Sequence, residues 1–86
     1  MPADTLVAMS VIEICTAFNE PVNIEVGRLS APAELMIGTD SNAQSVDRYQ
    51  VSNDLLYSVD TNLFLTVIVP SGFPTQGFGR VLVYLN

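Results

Sequence analysis

Eighty-six residues make one domain, and one cysteine, Cys15, with no histidine rules out an intrachain disulfide or a structural zinc site as its support. Hydrophobic residues make up 49% of the chain and charged residues 14%, against ~25% charged in an average soluble domain, so so small a protomer has more apolar surface than it can hide alone. Nine acids against three arginines (Arg28, Arg48, Arg80) and no lysine, a net charge of −6, argue against a phosphate-neutralising face for nucleic acid and against an anionic membrane as partner.

Leu6–Thr16 alternates Leu6, Ala8, Ser10, Ile12 and Ile14 with Val7, Met9, Val11, Glu13 and Cys15. Both sets are largely apolar, which predicts a strand covered on both faces. Phe18-Asn19-Glu20-Pro21 suits a turn. Val22, Ile24 and Val26 then alternate with Asn23, Glu25 and Gly27, the pattern of a half-buried strand. The two segments together predict an antiparallel hairpin with a short loop.

From Gly27 to Asp47 the pattern is irregular. Ser30-Ala31-Pro32 reads as loop, Leu35-Met36-Ile37 as a short strand or a single helical turn, and Gly38–Asn42 as loop. Arg48–Ser52 reads as a strand, Asn53-Asp54 as a turn, Leu55–Val59 as a short strand and Asp60-Thr61-Asn62 as another turn. Leu63, Leu65, Val67 and Val69 alternate with Phe64, Thr66 and Ile68. Pro70–Gly77, with two prolines and two glycines, is loop, and Phe78–Leu85 is the closing strand. This last pair predicts a long hairpin. No segment supports a three-turn amphipathic helix, and the longest nearly unbroken apolar run, Leu63–Val69, is far short of the ~20 residues that span a membrane. With Asp4 and no Lys or Arg in the opening residues, no secretory signal is expected, and the chain reads as made and kept, or assembled, in a cytoplasm. The expected fold is all-β: one domain over residues 1–86, a small antiparallel β-sandwich or jelly-roll-like barrel of six to eight short strands, oligomeric.

The residue types for catalysis are missing. Without histidine or lysine there is no ready general base, Schiff-base amine or Ser–Lys dyad. Cys15, inside an apolar strand, reads as a small buried apolar residue. Asp40, Asp47, Asp54 and Asp60 fall in expected turns, where Asp bonds the local backbone. Glu13, in the most apolar strand, must reach an arginine, a subunit boundary or solvent. Asp40–Gln44 starts like a calcium loop, but Ser45 stands where a glycine is needed and Val51 where a bidentate glutamate is needed. Gly77-Phe78-Gly79 enters a strand, not a helix, and reads as a tight bend. No catalytic, cofactor-binding or metal residue is therefore expected, and the chain is read as no enzyme.

The order of segments resembles a known group. An apolar strand runs into Thr16-Ala17-Phe18-Asn19, and a short strand ends in Val26-Gly27. A polar middle leads to Tyr49, followed by Asp60–Thr66, Ser71-Gly72, Thr75-Gln76-Gly77 and the closing Gly79–Leu85. This resembles the small β-sandwich virion proteins of tailed bacteriophages, of the capsid decoration or cement type. The resemblance implies a jelly-roll-like protomer, commonly a homotrimer, bound to the major capsid protein where shell subunits meet. It implies a place on the virion surface after assembly in the host cytoplasm. Leu6, Ala8, Phe64, Phe78 and Tyr84 are the candidate oligomer interface, and Thr39, Asp40, Phe73 and Gln76 the candidate capsid-contact loops. The rival expectation is a carbohydrate- or host-surface-binding module of a head fibre or tail, with Phe73 as its one loop-tip aromatic.

Overall fold

The computed structural model of the chain describes residues 1–70 and 72–86; Ser71, part of the expected loop, lies outside them. The described residues form six strands: β1 (Thr5–Thr16), β2 (Asn23–Arg28), β3 (Ala31–Met36), β4 (Asp47–Tyr57), β5 (Phe64–Ile68) and β6 (Phe78–Leu85). A 3-10 turn, Gly38–Asp40, follows β3. The protein is all-β, with two antiparallel three-stranded sheets ordered β4-β1-β6 and β3-β2-β5. One apolar cluster takes Val7, Ile12 and Ile14 from the first sheet and Val22, Ile24, Val26, Leu35 and Met36 from the second and its approach, an arrangement compatible with a small β-sandwich.

Both expected hairpins are corrected. β1 pairs with β4 and β6, not with β2, and β5 pairs with β2, not with β6. Each of the two connections carries the chain from one sheet to the other. Alternation along a strand reports which side chains face a core, and it reads the same whether the next strand lies alongside or across. The true hairpin is β2–β3, where Arg28 pairs with Ala31 across Leu29-Ser30. Ala31 and Pro32 therefore lie in a strand and not in a loop, and Pro32 is tolerated because β3 is an edge.

Asn53-Asp54 is no turn either. β4 runs unbroken through it, and the pairing to β1 shifts between Val7 and Met9, opposite Asn53-Asp54. Asp54 takes φ 47°, in the left-handed region that Asp tolerates better than most residues. The shift also exchanges the faces of β1: Val7 and, beyond the bulge, Ser10, Ile12 and Ile14 point into the core. Cys15 is thereby turned outward, and it is exposed, not buried as its apolar neighbours suggest. Val11, on the outer face, is nonetheless fully buried between its cross-strand neighbours Gln50 and Leu82.

Candidate functional site

Two of the three arginines are paired with carboxylates. Glu13 reaches Arg80 at 3.2 and 3.4 Å, and Arg28 reaches Glu34 at 2.6 Å. Glu13's carboxylate, by its hydrogen bonds first and its charge second, raises the pKa of the Arg80 guanidinium. Arg48 donates to Gln50 at 3.1 Å and to the Tyr84 hydroxyl at 3.3 Å, spanning β1. Of the four aspartates expected in turns, Asp47 and Asp54 lie on β4; Asp40 accepts the N–H of Ile37, Asp60 that of Ala3, and Asp47, at the head of β4, that of Arg48. Among the described residues no group of Cys, Asp and Glu side chains is placed to hold a metal ion.

Two buried side-chain oxygens among the described residues have no partner, Ser41 Oγ and the Tyr57 hydroxyl. Tyr57 closes β4 against the core, under the Arg28 guanidinium at 5.9 Å from its ring centre, and its hydroxyl finds no acceptor or donor in hydrogen-bonding geometry. Burial, and then the negative charge of Glu34, push its pKa up. Folding thus holds the phenol's proton more tightly than the unfolded chain does. That contribution is complete below about pH 10, where an unfolded tyrosine titrates, and is lost as pH rises through the folded value. Tyr57→Phe is expected to match or exceed wild-type stability at neutral pH, by up to about 1 kcal/mol, because it removes an orphan hydroxyl. Its urea midpoint should then fall less than that of wild type as pH is raised past about 10. Equal slopes for the two proteins in that range would exclude this account of Tyr57.

Three connections gather at one end of the molecule. Phe18 N–H donates to the Ala43 carbonyl at 2.9 Å, joining the β1–β2 and β3–β4 connections. Asn19 donates to the Thr75 hydroxyl at 2.7 Å and accepts from Thr75 N–H at 3.0 Å, joining β1–β2 to β5–β6. Gly77, at φ 145°, carries the Phe18 ring against its Cα, where a side chain would collide with the ring. Thr39, Asp40, Phe73 and Gln76, the expected contact residues, all lie on the connections of this end. Phe73 is 89% exposed there.

The other candidate residues divide. Phe64, Phe78 and Tyr84 lie on β5 and β6, the third strands of the two sheets, and are exposed. Leu6 and Ala8 lie on β1, the central strand, and are half-buried. The feature that sequence reasoning did not single out is the side of the molecule that β5 and β6 frame. Leu65 and Val67 sit opposite the core residues Val26 and Ile24, and Leu85 sits opposite Val7, so all three point toward the inter-sheet interior. They are nonetheless 54%, 52% and 52% exposed. On the far side β3 and β4 touch, and Asn53 of β4 donates to the Leu35 carbonyl of β3 at 3.0 Å. β5 and β6 do not close in that way, and a gap of about 110 Å³ opens between them, lined by Ile12, Ile14, Ile24, Leu65, Val67 and Val81.

Fold and surface together define a small all-β protein with one side of its core uncovered. No family model matches the chain, and no curated protein and no solved structure matches it either.

Proposed function

We propose that this chain is a structural protein that acts by association, a decoration subunit of a bacteriophage capsid of the kind its strand pattern resembles. The observation that carries the reading is the open side: interior-pointing Leu65, Val67 and Leu85 are half-exposed in the isolated protomer. Apolar side chains so placed are covered in a working protein, because exposed contiguous apolar surface of this kind marks association. The absence of histidine and lysine from the sequence supports a role without catalysis. The mechanism is linkage: a subunit that binds the assembled shell and not its separated components stabilises the shell by mass action. The end that carries Thr39, Asp40, Phe73 and Gln76 is the surface offered to the major capsid protein, leaving the open side for self-association.

Adding the purified protein to empty phage capsids tests this directly. It is expected to sediment with the shells in saturable amounts and to raise their melting temperature. Failure to sediment with any shell that lacks its own decoration protein, together with a monodisperse monomer in solution, would exclude the reading. Phe73, at 89% exposure on a loop, favours one rival, a module that binds a carbohydrate or host surface through that ring. Glycan binding by wild type that Phe73→Ala abolishes, without capsid binding, would establish the rival instead.

A further inference from the structure

The four strand pairings specify more than a generic two-sheet fold. An eight-stranded jelly roll is a long antiparallel hairpin rolled up. Its first strand pairs with the eighth, the second with the seventh, the third with the sixth and the fourth with the fifth. Rolling then sets the third beside the eighth and the fourth beside the seventh. Here β1 pairs with β4 and β6, and β2 pairs with β3 and β5. Those are the pairings of a jelly roll's last six strands. The two positions left over are the free edge of β6, where the first strand would pair, and the free edge of β5, where the second would. Both border the open side, where Leu65 and Val67 line the gap and Leu85 lines a second depression with Leu63, Phe64 and Val83.

The edges differ in how they are protected. β3 carries Pro32 and Glu34, and β4 carries Asp47, Arg48, Asp54 and a bulge, all devices that discourage strand addition. β5 has no charge and no proline. β6 has one charge, Arg80, already tied to Glu13. A chain of net charge −6 thus keeps one nearly neutral side, and that side is a pair of bare strand edges. A patch that faces its own copy across a two-fold axis must be neutral or it repels itself.

We propose that the β5/β6 side is covered by a second copy of this chain. β6 pairs antiparallel with β6 of the copy about a two-fold axis, and the exposed side chains of the two β5 strands close the gap. This rests on the reading above that the protein works by association. Leu65, Val67 and Leu85 face the interior side that the copy would cover, while Phe64, Ile68 and Tyr84 point to the outer faces of the two sheets. A two-fold contact makes pairs, or larger even-numbered assemblies, and does not by itself close the ring of three that the phage resemblance implies.

Light scattering coupled to size exclusion reads the stoichiometry. Wild type is expected at twice its 9.3 kDa protomer mass. Val67→Lys, in the gap, and Leu85→Lys, beside Val83 and Phe64 on the same open side, each place a charge at an already half-exposed position and should raise the dissociation constant about 100-fold or more. Leu29→Lys, on the 79% exposed β2–β3 turn, should leave it unchanged. Circular dichroism confirms that the variants are folded. In a Cys15→Ser background, Arg80→Cys, Leu82→Cys and Tyr84→Cys are compared for oxidation to a covalent pair. Residues at the axis of an antiparallel ladder lie ~4.5–5.5 Å apart, within disulfide reach, so one of the three should crosslink much faster than the others and than Leu29→Cys. This crosslink stands even if the lysine variants fail to fold. A three-chain mass, or a pair whose affinity and crosslinking ignore β5 and β6, overturns the edge pairing while leaving the association reading intact. A monomer that still sediments with capsids does the same. A monomer that binds neither itself nor a shell overturns both.

Discussion

Gly27→Ala is expected to cost about 3 kcal/mol or more, a large share of the roughly 4–13 kcal/mol that holds a domain of this size together. The cause is a backbone crossing. Between the pairs Val26–Met36 and Arg28–Ala31, Gly27 alone on β2 faces Pro32–Leu35 on β3. β3 therefore detours over the Gly27 Cα. A Cβ there would lie 2.2 Å from the Ala31 carbonyl oxygen, 2.7 Å from that of Pro32 and 2.8 Å from the Glu34 nitrogen. All three are backbone atoms, so no rotamer change relieves the clash, and the β2–β3 ladder must shift. That shift also moves Glu34 from Arg28 and Leu35 from the core. Gly38→Ala is the matched control. Its Cβ would meet only the Asn23 side chain, at 3.3 Å or more, and it should cost less than about 1 kcal/mol. Urea melts followed by circular dichroism measure both, and similar midpoints for the two variants would refute the argument.

The same detour explains why the middle of the chain resists reading from sequence. β1, β2, β5 and β6 announce themselves by alternation of period two, and their limits fall within a residue or two of the expected ones. β3 does not alternate, because its extra residues pass over Gly27 and are not held by a regular ladder. Partner choice was hidden for another reason. Thr16 to Asn23 and Ile68 to Phe78 are joined by connections too long for a two-residue hairpin, yet turn residues mark a change of direction and say nothing about which sheet receives the next strand. The open side follows from partner choice. Phe64, Phe78 and Tyr84 stand out in the sequence as aromatics on strands. That Leu65, Val67 and Leu85 point inward and stay exposed appears only once β5 and β6 are known to be edges. Cys15 is the clearest loss: the register shift between Val7 and Met9 puts Ile14 in the core, a second shift between Ile14 and Thr16 falls on Cys15 itself, and a count of alternation shows neither.

The second large effect lies at Asn53, beside the bulge between Val7 and Met9. Asn53→Leu is expected to destabilise the protein by about 3 kcal/mol although it adds apolar surface near the core. The Asn53 side chain accepts from the Ser10 hydroxyl at 2.7 Å and donates to the Leu35 carbonyl at 3.0 Å. Ser10 is fully buried on β1, Asn53 lies on β4 and Leu35 on β3, so one amide ties together three strands and both sheets. A carbonyl only accepts, which fixes the amide with its nitrogen toward Leu35 and its oxygen toward Ser10. Leucine would leave both partners dry and unpaired, at about 1–3 kcal/mol each. Ser10→Ala removes the hydroxyl that needs a partner, so it should cost about 1 kcal/mol alone and make Asn53→Leu less costly when the two are combined. A double-mutant cycle in urea is expected to show a coupling of about 1 kcal/mol. A coupling indistinguishable from zero would mean that Ser10 and Asn53 are solvated independently. Asn53 shares the inward face of β4 with Tyr49, Val51, Leu55 and Tyr57, so the strand's own alternation aims its amide between the sheets.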